Sequence, residues 1–235
     1  ADEFELFNLS DTKINNFIDE LKKIYQSFGY NSISIDKNYE DSGNNSVNLY
    51  LKFNEGEITK ITEINFSGNN SFDSDILLSK IKSKTKNIKS IFANNNFKLF
   101  QINNDLIRIK KFYESKGFID VNINYEVEYF KNNKVIIKFL IDEGIKYYFS
   151  TIKVNNEIQS DNNLNEKFEE FVSINQPLIG KTYSINKLEN LEFQLSDLLK
   201  LSGIQFYEIE SFIKKTNDKV DVLFALKLTK PIYIK

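Results

Sequence analysis

Along this chain the spacing of apolar residues switches repeatedly between the period of a helix and that of a strand. Ile14, Phe17, Leu21, Ile24 and Phe28 fall on one helical face, Ile102, Leu106, Ile109 and Tyr113 on a second, and Ile185, Leu188, Leu191, Leu195 and Leu198 on a third. After the second stretch the alternation becomes two-residue. Val121, Ile123, Tyr125, Val127 and Tyr129 interleave with Asn122, Asn124, Glu126 and Glu128, which predicts a strand with one wet face. Lys131-Asn132-Asn133-Lys134 predicts a hairpin turn, and Val135, Ile137, Phe139 and Ile141 return as the partner strand.

This order recurs. Gly29, Gly117 and Gly203 each end a helical stretch, as glycine does at C′, and they lie 88 and 86 residues apart. Phe53-Asn54-Glu55-Gly56 and Ile141-Asp142-Glu143-Gly144 repeat at 88 residues, and Thr229-Lys230-Pro231 stands third in that series with Pro in place of Gly. A complete unit has the order β-α-α-β-β. In the middle unit a strand over Ile61 to Ser67 meets a Gly68-Asn69 turn. A first helix then starts at an Asp73 N-cap, with Phe72 stapled onto Leu77, and runs to about Ser83. A 17-residue connection from Lys84 to Phe100, carrying Ile88, Ile91, Phe92 and Phe97, precedes the second helix; it is either a partner-docking feature or a cover for the helices. Strand two is expected from roughly Phe118 to Phe130.

The third unit places its strand near Phe149 to Val154, its first helix near Leu164 to Val172, and its hairpin strands around Ile204–Phe212 and Val220–Leu228. The first unit holds only a second helix and a hairpin over Ile33 to Phe53, so its opening strand and helix are expected about 30 residues upstream of Ala1. The expected domains are therefore 1–57 (partial), 58–146 and 147–231 (complete), with 232–235 starting another.

The expected fold class is α+β, an elongated arm of repeats, each a three-stranded mixed sheet covered on one face by two helices. A right-handed crossover through both helices makes strands one and three parallel, giving the order 1-3-2 with strand two at an edge. Strand two of the middle unit contains neither proline nor lysine, the residues that usually block an edge. It is either covered by a neighbouring unit or open to strand addition by another chain. The candidate binding residues are Val121, Asn122, Ile123, Asn124, Tyr125, Glu126, Val127 and Glu128.

Composition prunes the chemistry. The 235 residues include no His and no Cys, which removes the usual zinc sites, disulfides and Ser-His or Cys-His catalysis. Of 31 basic residues only Arg108 is arginine, against 33 acids, so nucleic acid is not an expected partner. No catalytic residue, metal or cofactor is expected, and no apolar run approaches the roughly 20 residues of a membrane helix. The polar runs Asp36 to Asn45 and Asp73-Ser74-Asp75 lack calcium-loop spacing and are expected to be a turn and an N-cap. Tyr147-Tyr148-Phe149 is expected to pack in a core and at a domain junction.

Ile64-Asn65-Phe66-Ser67-Gly68-Asn69, then Ile109-Lys110-Lys111-Phe112-Tyr113-Glu114-Ser115-Lys116-Gly117-Phe118, then Phe139-Leu140-Ile141-Asp142-Glu143-Gly144 resemble the successive signatures of a POTRA (polypeptide-transport-associated) domain. Their tandem order is similar to the periplasmic arm of outer-membrane assembly factors, the partial unit resembling a second domain and the complete ones a third and fourth. The third unit departs from the pattern at Val154-Asn155-Asn156 and at Lys230-Pro231. The resemblance implies a periplasmic, non-enzymatic scaffold that receives unfolded outer-membrane β-barrel proteins and docks accessory lipoproteins. Membrane contact would come only through a C-terminal barrel outside this chain. The arm of a related secretion transporter, or a passive spacer, is the alternative.

Overall fold

The computed structural model describes residues 10–43, 46–86, 94–156 and 162–230. The elements in chain order are α1 (Asp11–Phe28), β1 (Ser34–Gly43), β2 (Ser46–Asn54), β3 (Lys60–Ser67), α2 (Ser74–Lys80), α3 (Leu99–Ser115), β4 (Asn122–Phe130), β5 (Lys134–Asp142), β6 (Tyr148–Asn156), α4 (Asn162–Asn175), α5 (Ile185–Leu201), β7 (Tyr207–Thr216) and β8 (Lys219–Leu228). Two compact units result, residues 1–109 with 123–141 and residues 110–122 with 142–235.

In the first unit β1 and β2 form an antiparallel hairpin, and β3, β5 and β4 form a sheet in that order. β3 runs parallel to β5, so the crossover through two helices falls where the sequence places it. The alternation survives as burial: Val135, Ile137, Phe139 and Ile141 of β5 lie inside, with Phe66 stacked on Phe139 at 5.3 Å. Asn132 and Asn133 take positive φ at the β4–β5 turn, which Asn tolerates best among residues with a Cβ. In the second unit β6, β8 and β7 repeat the order, β6 parallel to β8 and β7 antiparallel to it. Both parallel ladders slip at the same place, between Ile61 and Glu63 and between Phe149 and Thr151. The core of this unit gathers Phe149, Ile152, Phe168, Leu191, Leu195, Val222 and Phe224.

The glycine columns have a shared geometry. At Gly117 (φ +99°) the chain leaves α3 in a Schellman turn, in which Phe118 N–H donates to the Tyr113 carbonyl at 3.1 Å. Tyr30 to Tyr25 and Ile204 to Leu199 make the same bond at the other two ends. The carbonyl of Gly29 then accepts from Thr59 N–H, and that of Gly117 from Tyr147 N–H, both at 2.9 Å. Thr59 and Tyr147 in turn accept from Phe97 and Tyr183 N–H, at 2.8 and 2.9 Å. One backbone frame thus recurs, once inside each unit.

Several boundaries differ from the sequence expectation. α2 stops at Lys80, not Ser83, because Ile81 turns extended and the N–H groups of Lys82 and Ser83 go to the Asp105 carboxylate at 2.8 and 2.9 Å. Asp73 occupies the N-cap, yet its side chain makes no cap bond; its backbone carbonyl accepts from Ile76 and Leu77. Asp36 to Gly43 is strand, not turn, paired through to Ser46. β6 continues through Val154-Asn155-Asn156, since Leu226 of β8 extends the ladder that far. β7 starts at Tyr207, after the turn at Gly203 and Ile204. The connection after Lys84 ends at Phe97, a buried residue, and Leu99 and Phe100 already belong to α3; Ile88, Ile91 and Phe92 lie outside the described residues. Residues 231–235, with the expected start of another unit, also lie outside them.

Candidate functional site

β4 is the end strand of its sheet, hydrogen-bonded to β5 on one side. Among the described residues, no backbone bond outside the sheet involves β4. Asn122, Asn124, Glu126 and Glu128 are exposed, while Ile123, Tyr125 and Val127 are half-buried on the opposite face, as the alternation predicts. Burial pushes the Tyr125 phenol up, with a smaller contribution from Tyr129. Val121 is not part of this edge: it is buried and precedes the first strand residue, because the chain is still completing the turn after Gly117. The site strand is therefore Asn122–Phe130, and the expected start at Phe118 is corrected to Asn122.

Tyr129 and Phe130 extend the strand with exposed rings, and Tyr129 meets the edge of Phe97 at 6.3 Å. β7 holds the same position in its own sheet but carries Lys214 and Lys215 near its tip. Lysines of that kind disfavour an incoming strand, and β4 has none.

The sequence did not single out the other end of the second unit's sheet. There a groove of about 630 Å³ runs between β6 and α4, lined by Ile152, Val154, Phe168 and Val172 with Lys153 and Glu169. Its signal was available in the Phe168–Val172 helical spacing facing an edge strand, but a groove needs the strand order to be known first.

Two polar clusters brace the turns. Tyr113 Oη donates to buried Glu143 Oε1 at 2.9 Å, so the Glu of the Glu-Gly motif anchors to α3; burial, then Glu143, pushes the phenol up. Tyr147 Oη donates to Asp120 Oδ2 at 2.6 Å, and Lys215 at the β7–β8 tip pairs with Asp120 Oδ1. Tyr147 and Phe149 are buried, as expected of that aromatic cluster. Among the described residues, no group of three or more acidic side chains is placed to hold a metal ion, and no helix is long and apolar enough to cross a membrane.

Residues 59–144, which hold the β3-β5-β4 sheet and its helices, match the POTRA family model, described as surface antigen variable number repeat, and the β6-β8-β7 sheet repeats the same strand order. The chain is similar to outer membrane protein assembly factor BamA of Neorickettsia risticii, 23% identical over 227 residues, covering 95% of this chain and 30% of that protein. BamA of Buchnera aphidicola is 31% identical over 120 residues, covering 50% of this chain and 19% of its own length. The crystal structure of Haemophilus ducreyi BamA lacking POTRA domains 1–3 superposes with a TM-score of 0.52 at 18% identity, over 72% of this chain and 29% of that one. The chain spans less than a third of the length of these curated relatives.

Proposed function

We propose that the chain is a periplasmic, non-enzymatic scaffold in the assembly of outer-membrane β-barrel proteins, and that β4 takes an extended segment of an unfolded client as an added strand. The similarity to BamA over nearly the whole chain supports the setting. The observation that carries the mode of binding is the end position of β4, with neither proline nor lysine along it. Four or five added backbone bonds at about 0.5–1.5 kcal/mol net each, less the cost of ordering the guest, give roughly micromolar to millimolar affinity. That range suits transient holding of a chain on its way to a membrane. Accessory lipoproteins would dock elsewhere on the same arm, and a barrel would supply the membrane contact.

A passive spacer is the second reading, favoured by the recurring backbone frame at Gly29 and Gly117, which fixes each joint without any client. A titration separates the two. A barrel-derived extended peptide should shift the amide resonances of Asn122–Phe130 in the protein. Proline at Asn124 or Tyr125, whichever donates its N–H away from β5, should weaken that binding roughly 2–10-fold, the loss of about one bond, while the remaining spectrum stays folded. Equal binding by both proline variants would leave the spacer reading.

A further inference from the structure

β4 and β7 hold the same edge of their sheets but are charged differently. On the exposed face of β4 the row is Asn122, Asn124, Glu126, Glu128 and Phe130, since side chains two apart share a face. Glu126 and Glu128 are spaced about 7 Å along the strand, two residues at about 3.4 Å each. Among the described residues neither carboxylate has an ion pair, and Lys134 and Lys138, exposed on β5, pair with neither. In β7, Glu210 is paired with Lys227 of β8 at 3.5 Å, and Lys214 and Lys215 add positive charge nearer the tip.

A side chain on an end strand has one flank fixed by the fold and one left for a newcomer. Residues of an added strand would stand directly opposite, with Cβ atoms about 4.5–5.5 Å away. At Glu126 and Glu128 that newcomer meets two unneutralised negative charges. Phe130 continues the row with a ring 46% exposed, and the face of an aromatic ring also attracts a cation. On the opposite face Ile123, Tyr125 and Val127 are half-buried, so a guest residue directed that way meets apolar side chains. The two faces of this edge therefore suit different residues in strict alternation, apolar on one and cationic on the other.

We infer that the edge of β4 selects extended segments in which Lys or Arg alternates with apolar residues, a selectivity that rests on the strand addition proposed above. Main-chain bonds hold any strand alike; preference comes from the side chains. It also comes from rejection. A guest with Asp or Glu beside Glu126 and Glu128 sets like charges opposite one another, which destabilises the pairing. An opposite charge at both places favours the guest by roughly 2–30-fold over a neutral one. A second copy of β4 does not meet this requirement, because Asn122–Phe130 holds neither Lys nor Arg.

The test uses three peptides of nine residues, the length of β4, with Val at alternate positions and Lys, Ser or Glu at the others. Each is titrated into the 235-residue chain and followed by the amide resonances of Asn122–Phe130. The Lys peptide should bind roughly 2–30-fold tighter than the Ser peptide, and the Glu peptide should bind weakest. The preference should shrink at about 1 M salt, where the Debye length is about 3 Å. A double variant, Glu126→Gln with Glu128→Gln, should bind the Ser peptide as before and lose most of the preference for Lys. Equal affinity of the three peptides at β4, or an undiminished preference in the double variant, overturns charge selection and leaves strand addition standing. Binding of the Lys peptide that neither proline variant weakens overturns it too, by assigning the attraction to acidic surface without an added strand. Should no peptide shift Asn122–Phe130, strand addition itself fails and the selectivity falls with it.

Discussion

Asp105 carries more of the first unit than its charge suggests. It is fully buried on α3, where its carboxylate accepts from Lys82 and Ser83 N–H, from Gln101 Nε2 at 3.1 Å and from Arg108 Nη1 at 2.7 Å. Four donors on two oxygens offset the desolvation that normally forbids such a position. Replacing it with Ala strands a guanidinium and two backbone N–H groups. Asp105→Ala should therefore cost about 3–5 kcal/mol in urea unfolding, the range for breaking a buried ion pair. Asp105→Asn keeps one acceptor and should cost about 1–3 kcal/mol. A loss under ~0.5 kcal/mol for the Ala variant, an ordinary surface value, would show that these bonds are not holding the segment after α2. Helical periodicity favoured Leu106 as the buried residue here, and Leu106 is only half-buried. The clue within the sequence was the chain's sole arginine three residues after an Asp, and it gains meaning only once the segment at Lys82 is seen to need a cap.

At the scale of elements, the strands and helices were legible because their apolar period and their glycines repeat together. Their ends were less so. α2 and β4 end or begin where backbone groups change partners, at Ile81 and Val121, and such exchanges leave no mark on residue type. The joint at Gly117 is also made of backbone bonds, but a side-chain latch is added to it. Lys215 at the tip of the β7–β8 hairpin and then Tyr147 hold the Asp120 carboxyl below the usual carboxylate range. A folded pKa below the unfolded one stabilises fully above about 3.9, and that contribution is lost as pH falls through the folded value. Titration of the Asp120 carboxyl carbon by NMR should thus give a midpoint below about 3.9. Tyr147→Phe and Lys215→Met should each move it upward, and the amides of the hairpin tip should exchange faster below the midpoint. Both charges are partly exposed, so the latch orders the tip more than it stabilises the fold. A midpoint at the ordinary value would mean that the latch is open in solution.

For the whole molecule, the question is whether the repeats stand alone. The edge position of β4 followed from topology that the sequence could supply, since a crossover of fixed hand leaves strand two outermost. Mutual dependence of the repeats could not be read that way, because it rests on a few bonds. Within the first unit, residues before Gly56 reach later ones through Thr59 N–H to the Gly29 carbonyl, Asn31 Nδ2 to the Phe97 carbonyl at 3.0 Å and Asn96 Nδ2 to the Phe28 carbonyl at 3.0 Å. The apolar cluster of α1 gathers Ile14, Ile18, Ile33 and Ile35 with Leu21, Tyr25, Leu49 and Leu51, with no residue of β3 or β5 among them, while Ile61, Ile64, Val135, Ile137 and Phe139 are buried in a sheet of their own. Deleting residues 1–57 should therefore remove these three bonds and that from Asn133 Nδ2 to Glu57 Oε2 at 3.0 Å, whose remaining partners gain access to water, a loss of roughly 2–6 kcal/mol at about 0.5–1.5 each. The shortened chain should stay folded, with faster amide exchange confined to Thr59–Ile61 and Asn94–Phe97. Protection lost throughout β3, β5 and α3 would instead mean that the first repeat is part of the second one's core, and that the repeats act as a single body and not as separable links.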